Sequence, residues 1–245
     1  GTAALHAALA AMGVGPGDEV VLPSFVCSAL LNAVAYTGAV PVPADIDAAT
    51  LNLDPQDVER RLSRRTRAVI LPHMFGLPAD LDRFVGLGVP VIEDCAQSLG
   101  AAHGSRPVGS CGQAAVFSFY ATKVIATGEG GMVATPSREI AARVRDLKTY
   151  DRRDDPATRF NFKFTDIQAA IGRVQLARLK TFIGRRRAIA HNYRSAFQGL
   201  PVRLPPDDAG HIYFRYVLDI GADGTDFIRR AAAAGIGLTL LPVLY

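Results

Sequence analysis

The chain has little cysteine, no long apolar run and no dense block of charge of one sign. Each shortage narrows what it can be. Of 245 residues only three are cysteine. Cys27, Cys95 and Cys111 are odd in number, and no pair has metal-ligand spacing. A disulfide framework is therefore not expected, and a reducing, cytoplasmic compartment is. The five histidines (His6, His73, His103, His191, His211) form no HxxxH pair, so a zinc site has no support. No stretch approaches the roughly 20 apolar residues of a membrane span. The N-terminus has neither a basic leader nor a small-residue cleavage site. Repeats and low-complexity linkers are also missing. The formal net charge is +4 with a pI near 9.1, and the basic residues are spread along the chain. The densest cluster, Arg185-Arg186-Arg187, reads as the solvated face of a helix. No basic motif is interleaved with aromatics, which argues against nucleic-acid binding.

What is present is ample for a core. Apolar residues make up 49% of the chain and charged residues 20%, with a mean hydropathy of +0.16. Short apolar runs alternate with helical patterns, which predicts strands over 19–22, 38–45, 67–72, 89–92, 114–119 and 132–135. Helices are expected over 2–12, 26–36, 53–64, 79–87 and 138–147. Thr2 is a candidate N-cap. This is the pattern of an α/β fold, a three-layer α/β/α arrangement around a mainly parallel sheet. A single long helix is expected from Thr165 to about Phe197. A break at Pro201, Pro205 and Pro206 follows, then a strand over 211–220, a helix over 225–234 and a strand-like run over 237–242. We therefore expect a large domain over 1–200 and the opening of a smaller α+β domain over 201–245. The chain starts without methionine and stops on an unpaired strand pattern, so it reads as a fragment of a longer protein.

In parallel sheets, ligands gather at the carboxyl ends of the strands. Ser24, His73, Asp94 and the run Ser118 to Lys123 all fall at such ends. Lysine is costly to bury unpaired. Lys123, set between an apolar strand and a glycine-rich turn, is either snorkelling outward or chemically employed. An acid, a serine and a lysine grouped this way fit a pyridoxal phosphate site. The lysine forms the Schiff base, the acid sits against the pyridine nitrogen, and the serine with helix-start amides near Thr2 holds the phosphate.

Longer motifs carry a more specific likeness. Glu93-Asp94-Cys95-Ala96-Gln97, Phe117-Ser118-Phe119-Tyr120-Ala121-Thr122-Lys123 and Thr127-Gly128-Glu129-Gly130-Gly131 resemble the DegT-type (DegT/DnrJ/StrS) sugar aminotransferases, pyridoxal phosphate enzymes of fold type I. Gly1-Thr2-Ala3-Ala4-Leu5, His73-Met74-Phe75-Gly76 and Asn161-Phe162-Lys163-Phe164-Thr165-Asp166 extend the likeness along nearly the whole chain. The resemblance implies that Lys123 carries the cofactor and shuttles the proton. It implies that Asp94 pairs with the pyridine nitrogen and that Gln97 lies by the 3-hydroxyl side. Thr2, Ala3 and Ser118 are implied to hold the phosphate, and Asn161 to reach the phosphate of a neighbouring subunit in a homodimer. The implied reaction moves an amino group from an amino-acid donor, expected to be glutamate, to a keto sugar, usually nucleotide-linked. The likeness also implies a missing N-terminal arm and most of a C-terminal domain. His73 and Tyr120 are further candidates to line the pocket, although His73 reads equally as a hydrogen-bonded histidine at a strand end. The chain departs from the family at Cys27, where many members place the aromatic that stacks on the cofactor. It departs again at Ala121 and at Val124. Phe25 is close enough in sequence to replace the stacking ring. Lys123 itself argues against the family's dehydratase branch, which has histidine there. The competing reading is a non-catalytic regulator of the same fold that binds the cofactor or a sugar nucleotide.

Overall fold

The computed structural model describes residues 1–151, 154–221 and 224–240. Its centre is a six-stranded sheet built from β1 (Glu19–Pro23), β2 (Val40–Ala44), β3 (Thr66–Pro72), β4 (Val91–Asp94), β7 (Ala114–Ser118) and β8 (Gly131–Ala134). Two short strands, β5 (Ala102–His103) and β6 (Arg106–Pro107), pair separately. The order across the sheet is β2-β1-β3-β4-β7-β8. All neighbours are parallel except β7 and β8, which are antiparallel. The expected mainly parallel α/β architecture is therefore present.

Alternation along the strands divides the core in two. Val20, Leu22, Ala68, Ile70, Ile92, Ala114 and Val116 face the helices α1 (Thr2–Ala11) and α2 (Ala29–Ala35). Val21, Val69, Leu71 and Val91 face α3 (Pro55–Arg61) and α4 (Leu81–Val85), where Val58, Leu81 and Phe84 meet them. Both faces are thus dry, which is why these strands read as continuous apolar runs. Beyond β8 come α5 (Arg138–Leu147), α6 (Asp166–Ala177), α7 (Leu179–Phe197) and α8 (Gly224–Ala233).

Several expectations need correction. Gly1, not Thr2, occupies the N-cap of α1, and no side chain caps that end. The single helix expected over 165–197 is two, α6 and α7, parted at Arg178. The start of α6 is well specified: Thr165 and Gln168 form a reciprocal capping box. The strand expected over 211–220 is reduced to one antiparallel bridge, from Asp219 to Arg203. The first half of the segment bonds to the turn at 74–76, with Ile212 N–H donating to Gly76 O at 3.0 Å and Phe214 N–H to Phe75 O at 2.8 Å. Residues 237–240 are not a strand, and 241–242 lie outside the described residues. The arginine cluster is no purely solvated face either. Arg186 donates to the carbonyls of Tyr213 and Phe214, and Arg187 to those of His211 and Ala209, so α7 clamps the 209–214 segment.

Candidate active site

Parallel strands β1, β3, β4 and β7 present their carboxyl ends on one edge of the sheet. The same alternation that splits the core decides which end residues meet. Asp94 is in register with Ile92, and Ser118 with Val116, so both fall on the α1 side. His73 continues the other parity of β3 and Glu93 that of β4, so they fall together on the opposite side.

Asp94 is nearly buried, and its Oδ1 accepts the Ala96 N–H at 2.9 Å. Burial pushes its carboxyl pKa up; that hydrogen bond and the nearby charge of Lys123 oppose the rise without cancelling it. Among the described residues no ion pair reaches Asp94. Gln97, three residues on, is fixed by accepting the Phe75 N–H on Oε1 at 3.1 Å, which leaves its amide hydrogens free to donate.

Ser118 ends β7 and is almost buried. The start of α1 abuts it: a Cβ at Gly1 would lie 3.1 Å from both the Cβ and Oγ of Ser118. The first amides of α1, including those of Thr2 and Ala3, have no partner within the helix, and the helix dipole adds positive potential there. This close approach depends on a glycine. A Cβ at Gly131 would sit 3.0 Å from the Gly1 nitrogen and 3.2 Å from the Ala4 Cβ.

From Ser118 the chain enters a closed loop. Phe119 N–H donates to Gly130 O at 3.0 Å, Thr127 N–H to Phe119 O at 2.9 Å, and Lys123 N–H to Tyr120 O at 2.9 Å. Ile125, within the loop, is buried. Lys123 is half-buried, and its Nζ stands 5.4 Å from the centre of the Phe214 ring. Its side chain therefore lies across a protein surface instead of trailing into solvent.

His73 does not line this cluster. It is fully buried, and its Nδ1 accepts the Ala79 N–H at 3.0 Å. That bond assigns the ring hydrogen to Nε2, which donates to Glu93 Oε2 at 3.1 Å. Glu93 also accepts from Gly109 N–H at 2.6 Å, Cys111 N–H at 2.8 Å and Gly112 N–H at 2.7 Å. Burial disfavours its charge, but the hydrogen bonds outweigh burial and hold its pKa at about 2. Sequence reasoning missed Glu93 as a buried keystone. The signal available was its strand parity, which it shares with His73 and not with Asp94. Cys95 completes a compact trio with His73 and Glu93. The imidazole nitrogens and the Glu93 oxygens are already taken by hydrogen bonds, so the trio is better explained as a polar joint than as a metal centre.

Tyr120 is 46% exposed. Cys27 is exposed, and Phe25 packs against Phe75 with ring centres 6.5 Å apart. Asn161 does not join the Ser118–Lys123 cluster through any hydrogen bond among the described residues. It is exposed between Phe160 and Phe162, whose stacked rings lie 4.9 Å apart and edge against His6.

Residues 1–241 match the model of the DegT/DnrJ/EryC1/StrS aminotransferase family, and the chain belongs to that family. It is 40% identical over 243 residues to the spore coat polysaccharide biosynthesis protein SpsC of Bacillus subtilis, with 89% of this chain and 62% of SpsC covered. It is 37% identical to GDP-perosamine synthase of Caulobacter vibrioides, with 90% of this chain and 63% of that protein covered. Among solved structures it resembles the aminotransferase TlmJ from Streptoalloteichus hindustanus, at a TM-score of 0.93 and 36% identity, covering 99% of this chain and 70% of that one. It also resembles Spr1654 from Streptococcus pneumoniae in its PLP form, at a TM-score of 0.90 and 26% identity, covering 99% and 72%. The chain thus spans a little over three-fifths of the length of these curated relatives.

Proposed function

We propose that the protein carrying this chain moves an amino group from an amino-acid donor, glutamate, to a keto sugar borne on a nucleotide, with pyridoxal phosphate as cofactor. The observation that carries the reading is the grouping at one sheet edge of Lys123, a buried Asp94 that no ion pair reaches among the described residues, and Ser118 against the start of α1. Relatives named as a GDP-perosamine synthase and a spore coat polysaccharide biosynthesis protein support an amino-sugar product.

The residues fit the cofactor. A buried carboxylate whose charge burial disfavours is relieved by a protonated ring nitrogen placed against it. The free amide hydrogens of Gln97 suit an anionic ring oxygen. The open amides of Thr2 and Ala3 and the Ser118 hydroxyl suit a phosphate. When bound, pyridoxal phosphate supplies a carbonyl that exchanges for an amine and a ring that accepts electrons.

The chain's own groups do the rest. Asp94 holds the ring nitrogen's proton by keeping a negative charge beside it. Lys123 Nζ would hold the cofactor's carbonyl carbon, and as a free amine it would take up and hand on the proton that the transfer moves. Lys123 would serve the same proton-moving role when the sugar ketone takes the donor's place. Asn161, exposed on its pinned segment, reaches the phosphate of a second copy in a homodimer. Residues 1–200 act as the cofactor-binding domain, and residues from 201 onward open a smaller one. The three cysteines are free thiols, which accords with a cytoplasmic enzyme, and no described helix is long and apolar enough to cross a membrane.

The test is a panel of keto-sugar nucleotides with glutamate, read by release of 2-oxoglutarate. Turnover is expected with at least one member, together with a visible absorbance band on adding pyridoxal phosphate. Lys123→Ala should lose both. A whole protein that neither takes up the cofactor nor converts any member would refute the reading.

A further inference from the structure

Phe214 is an unexpected member of the site. It lies beyond residue 200, in the segment expected to be a strand, yet it meets Lys123. The segment is held as a strap. Ile212, fully buried, packs with Cys95 and Ala115 behind the sheet. Its N–H donates to Gly76 O, and the Phe214 N–H donates to Phe75 O. Arg186 holds the far side, with Nη1 donating to Tyr213 O at 3.2 Å and Phe214 O at 3.0 Å.

This joint carries backbone strain. Among the described residues only three non-glycine residues have positive φ, and two meet here: Phe75 at 54° and Tyr213 at 50°. Such conformations cost about 1 kcal/mol or more each and persist where the surroundings over-determine them. Phe75 is held by Gln97 through its N–H and by the strap through its carbonyl. Gly76 is required for the contact, because a Cβ there would fall 2.6 Å from Ile212 and 3.0 Å from the Phe214 nitrogen. The outcome is one aromatic ring set against three cations: Lys123 Nζ at 5.4 Å, and the guanidinium carbons of Arg186 and Arg215 at 5.9 Å. Asp94 and Lys123 are close enough to interact electrostatically.

We propose that Phe214 is a positioning residue for the reactive amine, its ring seating the Lys123 ammonium on the strap and so setting how readily that amine attacks an aldehyde. A ring face attracts a side-chain ammonium set over it. Removing the ring therefore releases the Lys123 side chain from the strap. This inference rests on Lys123 being the working amine, but its test does not depend on turnover.

The cofactor-free whole protein and its variants are exposed to pyridoxal at neutral pH, the adducts are trapped with borohydride, and each lysine peptide is quantified by mass spectrometry. Lys148, Lys163 and Lys180 of the same chain serve as references. Phe214→Leu should raise the trapping rate at Lys123 by roughly threefold to tenfold, the span of a partly exposed cation–π contact, and leave the references unchanged. Phe214→Tyr keeps the ring face and should return the rate to within about twofold of the parent protein. An unchanged Lys123 rate in Phe214→Leu would overturn the proposal. So would a rise shared by all four lysines, which would mean general loosening, or a Phe214→Tyr variant that behaves like Phe214→Leu. If Lys123 responds as expected while no keto-sugar nucleotide is turned over, the aminotransferase reading fails and the positioning role stands.

Discussion

Replacing Glu93 with glutamine tests how the sheet edge is held. Glu93 is fully buried, and its two oxygens accept four hydrogen bonds, from His73, Gly109, Cys111 and Gly112. The substitution keeps size and shape and removes one acceptor oxygen. Glutamine can serve the Cys111 and Gly112 amides through its oxygen. Its amino group then faces the Gly109 amide and the His73 Nε2 hydrogen, donor against donor. Two charge-assisted bonds are lost and two buried donors left unmet, each worth about 1.5–3 kcal/mol. A second route gives a similar size. A carboxyl held at about 2 against an ordinary 4.5 corresponds to roughly 3 kcal/mol of native stability at neutral pH. We therefore expect Glu93→Gln to destabilise the cofactor-free protein by about 3–4 kcal/mol at pH 7. Urea unfolding should read this as a lower midpoint with an unchanged slope. The pH arm is more discriminating. A depressed carboxyl contributes fully above its unfolded pKa, and that contribution falls away as pH drops from 4.5 toward about 2. The parent protein should lose this increment in that window, and the glutamine variant should lack that part of the acid slope. A cost below about 1 kcal/mol, or an acid slope identical to the parent's, would refute the picture of Glu93 as the anchor joining β4 to the 109–112 loop.

Two further substitutions act closer to the proposed cofactor site. Asp94 has a raised pKa, so it favours the cofactor-free fold at low pH, and that advantage is lost as pH rises through its native pKa. Asp94→Asn should therefore stabilise the cofactor-free protein at pH 7 to 8 in thermal melts while weakening pyridoxal phosphate binding by about a hundredfold, the cost of removing one partner of a buried pair; a variant that binds the cofactor as tightly as the parent would contradict the assignment. Gly130 has φ of 153°, and a Cβ there would meet the Phe164 ring at 2.5 Å and Thr127 Oγ1 at 2.9 Å. Gly130→Ala should cost about 2 kcal/mol by the same unfolding assay and reduce trapping at Lys123, because the loop that carries the lysine closes through Gly130; a neutral effect on both would show that the loop does not depend on this closure.

Much of the sheet was legible because burial on both faces leaves a plain mark, short apolar runs separated by helical patterns. Asp94, Ser118 and Lys123 were legible for the same reason, as polar residues where such runs end. His73 sits at a similar end and was weighed for the pocket, yet it belongs to Glu93 on the other side of the sheet. The strand over 211–220 was misread because alternation of apolar residues is a local property, whereas a strand needs a partner. Here the backbone partners of Ile212 and Phe214 are Gly76 and Phe75, more than a hundred residues away.

The amino-acid sequence alone determined the α/β class and the family, and it marked Asp94 and Lys123 as polar residues where apolar runs end. Those depend on local periodicity and on motifs contiguous in the chain. Tertiary structure alone decided that Glu93 locks the loop behind the site, that the arginine cluster on α7 clamps a strap, and that Phe214 lies against Lys123. Each of those depends on hydrogen bonds or ring contacts between segments remote in sequence. Which remote groups meet follows from strand order and strand parity together, and no single stretch of the chain contains both.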